Sequence, residues 1–150
     1  MCLFTSCNSE VNAKFFNAAY RLQEDGSWAL NIDKSNETAI AINGFYDVLD
    51  TDDKGIMICK TYYFDENARM VTGWMKDALS NIYYFETDKS LEQGVMAIGW
   101  KQIGMGIWYF FTDDGKLFVN GVTPDGKIVG ADGKWQDPNV QMQQTLLPGF

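Results

Sequence analysis

Aromatic rings are the functional groups that this sequence supplies in quantity, at 15% of its residues, and they come in clusters. Tyr62-Tyr63-Phe64, Tyr83-Tyr84-Phe85 and Trp108-Tyr109-Phe110 form three triplets, while Trp74 and Trp100 each follow a glycine. A ring face attracts a cation by about 0.5–2 kcal/mol and offers a flat apolar surface for stacking. Other chemistry is scarce. The chain has no histidine, which removes Ser–His and Cys–His nucleophilic schemes and a principal metal ligand. Its three cysteines, Cys2, Cys7 and Cys59, form no Cys-x-x-Cys pair. They read as free thiols, with Cys2–Cys7 as the alternative pairing. Asp50-Thr51-Asp52-Asp53 and Asp113-Asp114-Gly115 carry oxygen ligands but lack the alternating spacing and distal glutamate of a calcium loop. Paired carboxylates can hydrolyse glycosides, but these lie in turns of a repeating unit, where solvated turns are the expectation. No catalytic residue, metal site or cofactor is expected, and the chain reads as a binder, not an enzyme.

Charge narrows the partners. A net charge of −8 and a sequence pI near 4.4 leave no basic surface for phosphates, so nucleic acid is excluded. An acidic surface tolerates neutral partners and gathers cations. No run approaches the roughly 18 apolar residues of a membrane span. The opening MCLFTSCNSE has no basic n-region, so a signal peptide is not visible, and Phe4-Thr5-Ser6-Cys7 is a weak match to a lipoprotein cleavage box. Export would require a signal trimmed from, or lying outside, this sequence.

The rings are positioned by a repeat. A glycine followed by a large apolar residue recurs at Gly44-Phe45, Gly73-Trp74, Gly99-Trp100 and Gly121-Val122, with spacings of 29, 26 and 22 residues. An aromatic triplet precedes three of the four, and an acidic turn follows each triplet, DENAR (65–69), ETDKS (86–90) or TDDGK (112–116). Such spacings mark arrays of one supersecondary unit. The unit predicted is a β-hairpin with aromatics in one strand, a turn rich in Asp, Asn and Gly, and a short apolar strand. One hairpin alone is marginal in water, whereas stacked hairpins bury ring against ring. Alternation along a strand places Tyr62 with Phe64, Tyr83 with Phe85, and Trp108 with Phe110 on the inner face. Tyr63, Tyr84 and Tyr109 then occupy the wetter face. Met70, Met96 and Met105 read as gap-fillers.

The fold class expected is therefore all-β, an array (solenoid) of stacked hairpin repeats, with a divergent N-terminal segment that is β-rich or mixed. Residues 1–60 form that segment, of which 27–60 fits a degenerate repeat, with Trp28 for the aromatic run. Within it, Val11–Gln23 has a loosely helical pattern with Asn12 as a cap; KFFNAAYRL and SWALNI joined at Glu24-Asp25-Gly26 make a hairpin instead, the preferred reading. Residues 61–135 form the repeats proper. Asp125-Gly126 and Asp132-Gly133 signal tight turns in a terminal, capping repeat. Residues 136–150 read as a loosely attached tail.

TYYFDENARMVTGW (61–74), IYYFETDKSLEQGVMAIGW (82–100) and IWYFFTDDGKLFVNGV (107–122) resemble the cell-wall-binding repeat family. Its best-known members are the choline-binding modules of Gram-positive surface proteins, with glucan-binding relatives. The resemblance implies a secreted or cell-surface module that binds a cell-wall polymer, either choline-bearing teichoic acid or a glycan. It also implies a ligand cage between consecutive hairpins, built from the Trp of Gly-Trp, the residue just before the tyrosine pair, and a Tyr of the next hairpin. Carried onto this chain, the ligand-binding residues are Trp74, Trp100, Tyr63, Tyr84 and Tyr109. The remaining position is Thr61, Ile82 and Ile107, so each cage lacks one wall in this alignment. The second reading is a structural or protein-interaction scaffold built from the same repeats without a small ligand. Exposed hairpin edges also invite pairing of copies into a homo-oligomer.

Overall fold

The computed structural model describes residues 13–16, 19–22, 24–25, 28–31 and 40–139. Cys2, Cys7 and tail residues 140–150 lie outside the described residues. Every named element is a β-strand: β1 (Ala13–Phe16), β2 (Ala19–Leu22), β3 (Trp28–Asn31), β4 (Gly44–Thr51), β5 (Met57–Phe64), β6 (Gly73–Lys76), β7 (Ile82–Phe85), β8 (Gly99–Gln102), β9 (Trp108–Phe111), β10 (Gly121–Val122) and β11 (Ile128–Val129). The fold is all-β and built of antiparallel hairpins, as the repeat predicts. Two compact units divide it, residues 1–96 and 97–150.

In the first unit the hairpin reading prevails over the helical one. The Glu24-Asp25 turn returns the chain so that β2 pairs antiparallel with β3, Ala19 opposite Asn31. KFFNAAYRL is nevertheless not one strand. Its first part, β1, pairs parallel with β4, in a sheet ordered β1-β4-β5. Cys59, in β5, is disulfide-bonded, which corrects the free-thiol reading.

One register runs through the hairpins. Gly44 faces Phe64, Gly73 faces Phe85, Gly99 faces Phe111 and Gly121 faces Val129. Gly73 and Gly99 take left-handed φ angles of 79° and 70°, which a side chain resists. At the other two positions the left-handed residue is the preceding asparagine, Asn43 (φ 50°) and Asn120 (φ 52°), the residue type that tolerates it.

The phenylalanines opposite these glycines form the core. Phe64, Phe85 and Phe111 are each 0% exposed. Phe64 packs with Leu30, Ala41, Tyr46, Val48 and Tyr62. Phe85 packs with Tyr83 and Met96, flanked by Phe45, Tyr63, Val71 and Met75. Within each unit, residues that follow a turn lock one hairpin to the preceding one. Met70 and Met96 bridge their own hairpins at Phe64 and Phe85, and their backbone N–H groups donate to the carbonyls of Trp28 and Thr61 in the preceding hairpins. Trp135 does the same in the second unit, bridging Val129 and donating to the Trp108 carbonyl. Met70 and Met96 fill gaps as expected, whereas Met105 is 98% exposed at the β8–β9 tip, because two flanking glycines turn it outward.

Several of the turn acids are engaged by their own turns. Asp52, Asp65 and Asp77 each accept two backbone N–H groups on Oδ1, from the residues two and four positions on. Desolvation opposes ionisation of Asp77, but hydrogen bonds from Asn81, Leu79 and Tyr83 outweigh it and hold the carboxyl below its ordinary range. Among the described residues no group of three or more His, Cys, Asp or Glu could hold a metal ion.

Candidate functional site

The ladder places one aromatic triplet a residue later than the sequence pattern suggests. Because Phe111, not Phe110, faces Gly99 and is fully buried, the counterpart of Tyr62-Tyr63-Phe64 is Tyr109-Phe110-Phe111. The residue just before the triplet is then Thr61, Ile82 and Trp108, and not Ile107. The carbonyls confirm this equivalence, since Thr61 and Trp108 accept the same inter-hairpin bond, from Met96 and Trp135. Among the described hairpins, β8–β9 alone carries a tryptophan both after the glycine, Trp100, and before the triplet, Trp108.

These two rings meet a third. Trp100, Trp108, Trp135 and Lys127 line a cleft of about 230 Å³ within the second unit. Trp100 stands edge-on to Phe110, centroids 5.2 Å apart, and lies 6.4 Å from Trp135 at an interplanar angle of 68°. Phe110 is braced in turn by Phe118 at 6.2 Å. The Trp100 indole N–H donates to Asp125 Oδ2 at 3.0 Å, and this bond fixes the ring's rotation. The Lys127 ammonium lies 5.3 Å from the Trp100 ring and 5.8 Å from the Trp135 ring, and donates to the same Asp125 oxygen at 3.1 Å. The site can hold a flat apolar face or a cation against tryptophan π-clouds.

Asp125 organises the cleft electrostatically. The Thr123 hydroxyl, at 2.6 Å from Oδ1, then Lys127 and the Trp100 N–H hold its carboxyl down from the ordinary 3.8 to about 2, against desolvation. A depressed acid stabilises the fold fully above its unfolded value and loses that contribution as pH falls through its folded value. Tryptophan emission is therefore expected to stay constant from neutral pH to about pH 4 and to change with a midpoint near 2. Asp125→Asn removes that transition, and a midpoint near 3.8 would show that these bonds do not form in solution.

The other sequence-derived site residues lie elsewhere. Trp74 is 44% exposed and stands edge-on to Tyr84 at 5.1 Å, with Ile82 at the pre-triplet position of its hairpin. Tyr84 is buried, at 7% exposed, and not on a wet face, because Trp74 covers its ring and Thr87 lies 3.3 Å from its hydroxyl. Tyr63 is half-buried against Phe45 (5.0 Å) and Phe85 (6.4 Å). Tyr109 is half-buried, bridging Lys134 across the ladder. The structure joins Trp100 to Trp108, Lys127 and Trp135, which the sequence reading did not place in the site. The extra phenylalanine of Trp108-Tyr109-Phe110-Phe111 was the available signal for the shift.

Residues 59–89 match the family model of the choline-binding repeat. Among solved structures, the chain is similar to choline binding protein F from Streptococcus pneumoniae, solved in the presence of a tetrasaccharide-pentapeptide peptidoglycan analogue. The TM-score is 0.58 at 28% identity, over 79% of this chain and 33% of that one. A second crystal form of that protein gives a TM-score of 0.56 at 28% identity over the same shares. This chain spans about a third of the length of those structures. No curated protein sequence matches it. The match lies on the β5–β7 stretch, and the hairpin fold is similar to that of choline binding protein F.

Proposed function

We propose that this chain is a non-catalytic cell-wall-binding module that holds choline or a glycan of a wall polymer in the Trp100–Trp108–Trp135 cleft. The observation that carries the reading is the convergence of three tryptophans on one open cleft. Rings at this spacing suit a quaternary ammonium, each contact being worth about 0.5–2 kcal/mol, and the net charge of −8 concentrates cations near the surface. The repeat match and the likeness to choline binding protein F support the same ligand class. Of the five residues first assigned to binding, Trp100 is the central one. Trp74 with Tyr84 is a one-sided ring surface, and Tyr63 and Tyr109 are secondary.

The array of residues 61–135 has a degenerate forerunner in 27–60, supported by the Asn31–Ile40 bridge and the Gly44–Phe64 pair, which repeat its pairing scheme. A secreted or surface location is supported by the bonded Cys59, since disulfides persist in oxidising compartments. Among the described residues no helix is long and apolar enough to cross a membrane.

Choline chloride and soluble wall glycan fragments titrated against the whole chain are expected to change tryptophan emission saturably. No change with any ligand, at native circular dichroism, overturns the reading in favour of the scaffold alternative.

A further inference from the structure

The cleft already contains a cation. Lys127 reaches back from the β10–β11 turn so that its ammonium sits within cation–π range of two of the three tryptophans. Its position is imposed locally. The backbone N–H of Lys127 donates to Thr123 Oγ1 at 3.0 Å, the Thr123 N–H donates to the Lys127 carbonyl at 2.8 Å, and Asp125 holds the ammonium at 3.1 Å. Thr112-Asp113-Asp114-Gly115-Lys116 builds the same turn with the same 3.1 Å acid–lysine pair. The ion pair is therefore a property of the turn. What distinguishes Lys127 is that its turn stands beside Trp100 and Trp135.

We propose that Lys127 is the resident cation of this cleft and sets its specificity, so that a quaternary ammonium binds only by displacing the lysine from the Trp100 and Trp135 rings. This rests on the reading of the cleft as the ligand site. A free cation and the tethered ammonium compete for the same π-faces, so ligand affinity falls by the factor with which the lysine occupies them. Asp125 remains behind when Lys127 leaves. Its carboxylate then faces the incoming cation, and it still fixes the Trp100 ring through the indole N–H.

The test is choline chloride titrated at constant ionic strength against the whole chain, Lys127→Gln and Lys127→Arg, followed by tryptophan emission and calorimetry. Lys127→Gln removes the competitor and is expected to bind choline roughly 2- to 30-fold more tightly, the range of one cation–π contact. Lys127→Arg keeps a cation over the rings and is expected to bind no more tightly than the parent. Lys127→Met, which keeps the aliphatic stem, repeats the neutral substitution should the glutamine variant fold poorly. If the parent binds and the neutral variants bind equally or more weakly, the proposal is overturned and the cleft reading stands. Equal tightening by Lys127→Arg also overturns it, because charge would then not be the cause. If no form binds at native circular dichroism, the cleft reading itself fails and takes the proposal with it.

Discussion

Trp108→Ile is expected to lower choline affinity about thirtyfold or more while leaving the chain folded. Isoleucine is chosen because Ile82 occupies the equivalent ladder position, opposite Lys76, where Trp108 lies opposite Gln102. The hairpin therefore accepts this side chain. Trp108 is 37% exposed and isoleucine keeps an apolar side chain there, so no closed core cavity opens and the loss of stability is about 1 kcal/mol. The ligand, by contrast, loses one of three rings. Tryptophans at the centre of binding sites are worth about 2 kcal/mol or more, which sets the expected factor. Calorimetric titration with choline, alongside thermal unfolding of both forms, checks it. Unchanged affinity would remove Trp108 from the site and return the cage to the alignment in which Ile107 takes this position.

The largest expected effect on stability comes from Phe85→Ala, at about 3–5 kcal/mol. Phe85 is 0% exposed and closes the core formed with Tyr83 and Met96. Its ring lies 6.4 Å from those of both Phe45 and Tyr63. Those neighbours belong to the β4–β5 hairpin, so the cavity would sit where two hairpins meet, and the Phe85–Met96 bridge restrains its collapse. Whole domains are stable by only about 5–15 kcal/mol, so the variant is expected to lose a large share of the first unit's stability. Urea denaturation followed by circular dichroism measures it. A loss under about 1 kcal/mol would mean that the core repacks around the missing ring.

Legibility differed between fold and site. The glycine–aromatic spacing and the acidic turns were enough to read hairpins, because both features are local. A left-handed glycine and an Asx-type turn act within five residues of themselves, as Gly73 and Asp77 show. The parallel pairing of β1 with β4 was not legible, since it joins segments about thirty residues apart, with the β2–β3 hairpin between them, and no local turn signal announces a parallel partner. The buried Tyr84 was missed for a related reason. Alternation separates the two faces of a strand but does not say whether the outer face is covered, and here Trp74 covers it.

The cleft shows where sequence stops and tertiary structure takes over. By itself the sequence determined that this chain forms repeated hairpins rich in aromatic rings, that the acids after the triplets belong to turns, and that histidine chemistry is absent. Trp108-Tyr109-Phe110-Phe111 contains two overlapping aromatic triplets, and nothing local selects between them. The pairing of Phe111 with Gly99 selects the second, because only that register buries the phenylalanine. That one-residue shift turns Trp108 into a cage wall. Trp135 and Lys127 join it from two later turns, each more than fifteen residues away in the chain, placed by a backbone bond to the Trp108 carbonyl and by the Thr123–Lys127 turn. Ring content is a property of the sequence, but which rings face one another, and which cation already lies over them, follows from inter-strand hydrogen bonds that exist only once the hairpins have docked.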